Sequence, residues 1–174
     1  MGGGVDSIMA LDFDTQQILE ALDTLLTTRI PLELAALDAL SAPTIPAPTG
    51  VSLRDDIDDP IPYGRPDVAL TVGEEGAVIE DMLTPHRNHV IPLLVTVTLD
   101  FSSKEEEVIQ WARYYARAVD MSLTRINQAM SVPGVYYINV TGQQNPEPLR
   151  DNSGRHSRRI TVEATVYART ERAI

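Results

Sequence analysis

The sequence predicts an α+β fold, a mainly antiparallel four-stranded sheet packed on one face by a long helix and an N-terminal helix. Two observations predict the sheet: apolar and polar residues alternate along 90–101 and again along 158–168. A third predicts the long helix, because apolar residues recur every three or four positions from Glu105 to about Met130. The order of helix, two strands, helix and two strands places both helices over the apolar face of the sheet.

Two shorter apolar runs, 67–72 and 135–141, supply the other predicted strands. The segment between the first two strands is compatible with either a hairpin or a short helix. The N-terminal helix is expected to begin at Asp14, an N-cap residue, and to break at Ile30, because Pro31 follows. The polar stretch 142–155 is predicted to be a long hairpin loop.

The long helix is expected to bury one stripe and to present a second face. Ser102 with Glu105, or Ser103 with Glu106, forms a capping box, so the glutamate run indicates a helix start and not a catalytic group. The predicted core stripe comprises Val108, Ala112, Tyr115, Val119, Leu123, Ile126 and Met130. The opposite face carries Gln110, Tyr114, Arg117 and Met121, which either meets a partner or holds scattered exposed apolar groups.

The chain is predicted to form one domain. Residues 1–13 are expected to be a flexible N-terminus and 14–174 a single α+β domain with a Pro/Asp-rich arm at 41–66. This arm either makes contacts or is an inert excursion across the surface.

Composition excludes several functions. There is no cysteine, so disulfides and thiolate chemistry are excluded. Residues 1–81 carry sixteen acids and three arginines, while residues 82–174 carry nine acids and eleven bases. The net charge of −11 disfavours wrapping by DNA or RNA, which requires basic patches. No apolar run is long enough for a membrane helix, and the start has no basic signal-peptide region.

Catalytic and ligand motifs are weak. His86 and His89 could hold a metal only with further ligands that the spacing does not supply. The run "DDIDD" resembles half a calcium loop, but Pro60 replaces the turn glycine, so a solvated acidic loop is preferred. No phosphate-binding loop and no nucleophile elbow occurs. We therefore expect no cofactor, no metal and no enzymatic activity.

Four arginines form a cluster near the C-terminal end: Arg150, Arg155, Arg158 and Arg159. Arginine pairs with carboxylates in a bidentate fork, so this loop could dock on the acidic arm of a neighbouring copy, which carries Asp55, Asp56, Asp58 and Asp59. Pairing within one chain is the alternative. Docking on a neighbouring copy predicts that reversing the charge at both Arg158 and Arg159 weakens self-association and leaves the monomer folded.

Taken together, these elements resemble the tail terminator and related neck (head-to-tail completion) proteins of tailed bacteriophages. The resemblance rests on the N-terminal helix, the stretch "PIPYGRPDVALTV", the strand "LLVTVTLDF" entering the helix "EEEVIQWARYYARAVDMSLTRI", and the closing alternating strand. It covers most of residues 14–169 and is a likeness of layout, without a sharp motif.

This resemblance implies a subunit that assembles with itself into a ring, expected to be a hexamer. Such a ring caps the tail tube protein, joins the head connector or stopper protein, and lets DNA pass without specific binding. The implied location is the virion, with the host cytoplasm during assembly, and no membrane. Two other classes stay open: a small metal-dependent hydrolase using His86 and His89, and a monomeric cytosolic adaptor.

Overall fold

Two helices cover one face of a single mixed sheet in the computed structural model. The structure describes residues 13–38, 45–48, 50–54, 66–73, 76–81, 85–101, 105–148 and 156–171. The elements are α1 (Phe13–Asp38), β1 (Val51–Leu53), β2 (Asp67–Val72), β3 (Val78–Asp81), β4 (His86–Phe101), α2 (Glu105–Ala129), β5 (Val135–Gln143), β6 (Glu147–Pro148) and β7 (His156–Glu171). The predicted α+β class is confirmed.

The sheet has seven strands among the described residues, so the prediction of four strands is wrong in detail. The main order is β1-β2-β4-β7-β5, with β3 added to β4 and β6 added to β7. The pair β1–β2 is parallel and every other pair is antiparallel. The three unpredicted strands β1, β3 and β6 have only two to four residues, too few for an alternating pattern to appear. Between the first two predicted strands, β3 pairs antiparallel with the start of β4, so this segment forms a hairpin and not a short helix.

The long strands β4 and β7 form the centre of the sheet, and their register sets one apolar face. Each has sixteen residues, and they pair from His86 with Glu171 to Phe101 with His156. The odd-numbered positions of β4 face the helices together with the even-numbered positions of β7, and these positions are buried from Ile91 to Leu99 and from Arg158 to Ala168. Since β7 lies between β4 and β5 and runs antiparallel to both, β4, α2 and β5 form a crossover around one inserted strand.

Helix α1 continues through Pro31, so the predicted break at Ile30 is wrong. A proline inside a helix costs roughly 3 kcal/mol because it removes one backbone hydrogen bond and crowds the preceding turn. Here Ile30, Leu34 and Leu37 continue the buried stripe of the first half of the helix. Burying three large aliphatic side chains contributes about 1.5–3 kcal/mol each, which outweighs that cost.

Helix α2 buries the predicted stripe from Val108 to Ile126, and only its last member differs. The helix ends at Ala129, and Met130 adopts a left-handed backbone with φ of 49°. Its side chain therefore leaves the stripe and is exposed. Farther back in the helix, the buried Tyr115 hydroxyl donates to the carbonyl of Pro46, which holds the segment after α1 beside the middle of α2. Burial raises the pKa of Tyr115.

Replacing Asp23 on α1 with asparagine should stabilise the protein at neutral pH. Burial raises the pKa of this carboxyl, and its Oδ1 has no hydrogen-bond partner among the described residues. The ionised form therefore costs stability above the raised pKa, and that cost is lost as the pH falls from the raised pKa to the ordinary pKa of a carboxyl. Because solvent screens this partly exposed group, we expect a gain of less than about 1 kcal/mol at neutral pH that is lost in acid, measured by urea unfolding. Glu20→Gln, a similar change at an exposed position of the same helix, should have little effect.

Candidate protein interface

A buried histidine fixes the start of α1 to the sheet. The Thr170 hydroxyl donates to Asp14 Oδ2 at 3.0 Å. It must therefore accept from Nε2–H of His89, which lies 2.7 Å away. This assignment leaves Nδ1 of His89 as the acceptor for the Thr15 hydroxyl at 3.4 Å. The imidazole is fully buried, and its hydrogen bonds join α1, β4 and β7.

The turn between α2 and β5 is held at the same end of the molecule. Gly134 has φ of 84°, and a Cβ there would lie 3.0 Å from the carbonyl oxygen of Arg169. The backbone N–H of Arg169 donates to the Gly134 carbonyl at 2.8 Å. Only glycine allows this close approach of the turn to β7, so the turn brings the end of α2 beside the start of α1.

Five of the six large apolar or aromatic side chains that are exposed in the described part of the chain lie at this end. Each is between 46% and 70% exposed, and we call them the apolar end: Phe13, Val78, Met130, Tyr136 and Tyr137. The sixth, Leu32, lies in the second half of α1. The elements that bear the five are those joined by the His89 and Gly134 contacts, together with β3, which pairs with β4 beside His89.

The strand register aligns part of the apolar end into a row on the sheet face that does not carry the helices. Val78 pairs with Val90, Val90 pairs with Tyr167, and Tyr167 pairs with Tyr137. The ring of Tyr167 is stacked on Tyr137, with centroids 5.8 Å apart, and lies 6.4 Å from Tyr136. The row thus crosses four strands, from β3 to the edge strand β5.

A register shift in β5 explains why two consecutive tyrosines are exposed. The pairing with β7 is irregular between Val135 and Tyr137, where one extra residue stands opposite β7. Without such an irregularity, adjacent residues of a strand point to opposite faces. Sequence reasoning missed this surface, although the pair "YY" at the start of a half-buried strand was a local signal for it.

An open depression of about 410 Å³ adjoins the apolar end. It lies between the first turns of α1, the turn after α2 and the end of β7, and Ile18, Val132 and Pro133 form apolar parts of its wall. Its polar lining residues are Asp14, Gln17, Glu20, Thr24 and Thr170. Because Asp14 and Thr170 hydrogen-bond to each other, this wall is a fixed part of the His89 network.

The predicted second face of α2 is present only in part. Gln110 and Arg117 are exposed, but Tyr114 and Met121 are half-buried, and Tyr114 packs against the core. The exposed positions form a narrower band that we call the α2 stripe: Gln110, Arg113, Arg117, Thr124, Arg125 and Gln128. A depression of about 360 Å³ runs along it, between Arg117 and Gln128. Arg125 forms an ion pair with the buried Glu33 of α1, and its side chain is still 51% exposed.

The predicted arginine cluster is not one surface. Arg158 and Arg159 lie in β7 and not in a loop, and as neighbours in a strand they point to opposite faces. Arg158 is buried, and one of its guanidinium nitrogens donates to the Ser157 carbonyl at 3.1 Å. Arg159 is half-buried. Arg150 and Arg155, like Asp55, Asp56, Asp58 and Asp59, lie outside the described residues.

The two candidate metal ligands do not converge. His86 and His89 stand three residues apart in β4, so their side chains project from opposite faces of the sheet. Both ring nitrogens of His89 are also engaged by threonines. Within the described ranges, no group of three or more histidine, aspartate or glutamate side chains is placed to hold a metal ion.

The described helices include none that is long and apolar enough to cross a membrane. No family model and no curated protein matches the chain.

Proposed function

We propose that this protein is a structural virion protein, a tail terminator or neck subunit that forms a ring, caps the phage tail tube and connects it to the head. The observation that carries the proposal is the apolar end, five exposed apolar or aromatic side chains gathered at one end of a small α+β subunit. The resemblance in layout adds the kind of assembly, a homo-oligomeric ring expected to be a hexamer.

The size of the apolar end favours a protein partner. Aromatic side chains each offer ~150–250 Å², so three of them at this exposure, with a methionine and a valine, present on the order of 500 Å². The largest apolar patch of an ordinary monomer measures roughly 300–600 Å² and often has a function. A standard interface buries about 800 Å² on each partner. The apolar end is therefore large enough to form the centre of such an interface.

The side chains of the apolar end also suit a surface that is exposed to water in the free subunit and becomes buried when the partner binds. Tyrosine presents a large apolar ring and a hydroxyl that can stay hydrated, and tyrosine and methionine are enriched in interfaces. The stacked pair of Tyr137 and Tyr167 is held by the strand register, so little side-chain freedom is lost on binding. In the proposed assembly this end contacts the last ring of tail tube subunits.

The net charge is compatible with a channel for DNA. At −11 per chain, a ring of several copies would repel the phosphate backbone on average, so DNA would pass without adhering. The proposed location is accordingly the virion, after assembly in the host cytoplasm.

The proposal predicts that the double variant Tyr136→Ser, Tyr137→Ser loses binding to tail tubes. Purified protein is mixed with tubes formed by the tail tube protein of the same virus, and the bound fraction is measured by co-sedimentation. Removing two aromatic anchors from the centre of an interface should cost 2 kcal/mol or more, roughly a thirtyfold loss of affinity. Leu32→Ser removes an exposed apolar side chain away from the apolar end and serves as the matched control.

Three results bear on the alternatives. Ring-shaped caps at tube ends in negative-stain images, lost only in the tyrosine variant, would support the proposal. Equal binding by both variants and the wild type would remove the apolar end from the tube contact. If the wild type does not bind tail tubes and remains a monomer in their presence, the terminator role is contradicted and a monomeric adaptor becomes the better interpretation.

A further inference from the structure

The residue that follows helix α2 has a backbone conformation that disfavours its own side chain. Met130 has φ of 49°, and among the described non-glycine residues it alone has a positive φ. In this left-handed conformation the Cβ of an L-residue crowds its own backbone, so glycine, and less often asparagine, usually occupies this position at a helix end. Methionine therefore lowers the stability of the fold relative to glycine at the same position.

Contacts on both sides hold Met130 in this conformation. Its N–H donates to the Asn127 carbonyl at 3.2 Å. The next N–H, that of Ser131, donates to the carbonyl of the buried Ile126 at 3.5 Å. These two bonds form the Schellman motif, which ends a helix with a left-handed residue. Because Asn127 Oδ1 also accepts from the Ile138 N–H at 2.8 Å, the backbone at Met130 can relax only if the end of α2 moves relative to β5.

The side chain of Met130 contributes little to the subunit that bears it. It is 69% exposed, and among the described large apolar residues only Phe13 is as exposed. Apolar side chains stabilise a fold through the area that they bury, so this one does not offset its backbone strain within the subunit. A partner that buries the thioether would supply the missing stabilisation.

We propose that Met130 is the anchor of the apolar end, the side chain that inserts into an apolar pocket of the tail tube subunit. This inference rests on the proposed function, which supplies the partner. Strained residues persist where the surrounding structure fixes them, and they cluster at binding and catalytic sites. Methionine is unbranched and polarisable, so it fills apolar gaps well, and it is enriched in interfaces. The fixed backbone presents it in one position, so less freedom is lost on binding.

Two properties of Met130→Gly should change in opposite directions. Removing the strain should raise the melting temperature by about 2–4 °C, the size of shift expected for a chain of this length. Losing the anchor should weaken co-sedimentation with tail tubes of the same virus roughly tenfold. Met130→Leu keeps both an apolar side chain and the strain, so it should bind tubes within about twofold of the wild type and gain no stability.

Gln128→Gly is the matched control for the introduction of glycine. Gln128 is exposed in the last turn of α2, where the backbone is helical, so glycine there should lower the melting temperature. The change removes no apolar side chain, and tube binding should stay within about twofold of the wild type.

Oxidation gives a second readout at the same atom. Hydrogen peroxide transfers one oxygen atom to the thioether sulfur, which leaves methionine sulfoxide and water. Because the sulfoxide is polar, the oxidised wild type should bind tubes roughly tenfold more weakly. The same treatment of Met130→Leu oxidises other methionines of the chain but not position 130, so its binding should not change.

Tube binding by Met130→Gly that equals the wild type would overturn the anchor and leave the proposed function standing. So would a loss of self-association with unchanged tube binding, which would assign Met130 to a contact between copies. A melting temperature that does not rise would contradict the strain on which the inference depends. A wild type that binds no tubes would contradict the proposed function and the anchor together.

Discussion

Replacing Arg158 with glutamate is expected to lower the free energy of unfolding by about 3–5 kcal/mol. The side chain is buried on the helix-facing side of β7, in line with Ile160 and Val162, and its guanidinium donates to the Ser157 carbonyl. Glutamate would place an anion at this buried position and would remove the hydrogen bond to that carbonyl. Urea unfolding monitored by circular dichroism measures the loss.

The neighbouring arginine provides the control. Arg159→Glu makes the same charge change on the opposite, half-buried face of β7 and should cost about 1 kcal/mol or less. Because Arg158 is buried, this expected contrast differs from the expectation from the sequence that both arginines can be reversed in a folded monomer. An Arg158→Glu protein as stable as the wild type would show that the guanidinium is not part of the folded core.

His89→Ala should cost about 3 kcal/mol, the second large effect. The substitution removes a fully buried ring, leaves a cavity, and takes away the hydrogen-bond partner of Thr15 and Thr170. Because the network holds the start of α1 against β7, the apolar end should also become less ordered. Thermal unfolding measures the first effect, and hydrogen exchange of the α1 amides measures the second.

His86→Ala is the matched control, since His86 lies in the same strand and is only partly buried. It should change stability by less than about 1 kcal/mol. Repeating the stability measurements with zinc tests the hydrolase interpretation. If micromolar zinc stabilised the wild type and this effect disappeared in His89→Ala, the histidine would be a metal ligand and the structural account of it would be wrong.

The parts of the fold that the sequence predicted are those where one segment carries its own pattern. The buried apolar positions of α2 and the alternation in β4 and β7 repeat over many residues, so period alone identified them. The sequence did not predict the polar ends of β4 and β7. These residues join the sheet because they pair with the neighbouring strand, and they have no alternating pattern of their own. The helix break predicted before Pro31 was wrong because burial of the second half of α1 outweighs the low helix propensity of proline.

The candidate interface was less predictable, because the fold assembles it from distant segments. Phe13, Val78, Met130 and Tyr136 come from four different parts of the chain. The register of β3, β4, β7 and β5 aligns Val78 with the tyrosines, and the His89 and Gly134 contacts bring the start of α1 and the end of α2 to the same end. The arginines of α2 were easier to find, since a helical wheel places Arg117 away from the core stripe. The burial of Arg158 required its pairing with Leu99 and could not be read from a local charge cluster.

Hydroxyl-radical footprinting of the assembled particle tests the central claim most directly, because methionine and aromatic side chains react readily when exposed. The free protein and its complex with tail tubes are oxidised under the same conditions, and modification is measured at Phe13, Met130, Tyr136 and Tyr137, with Leu32 as the internal reference. We predict strong protection of the four residues in the complex and an unchanged rate at Leu32. Equal modification of the apolar end in the free and assembled states would contradict its role as the protein interface.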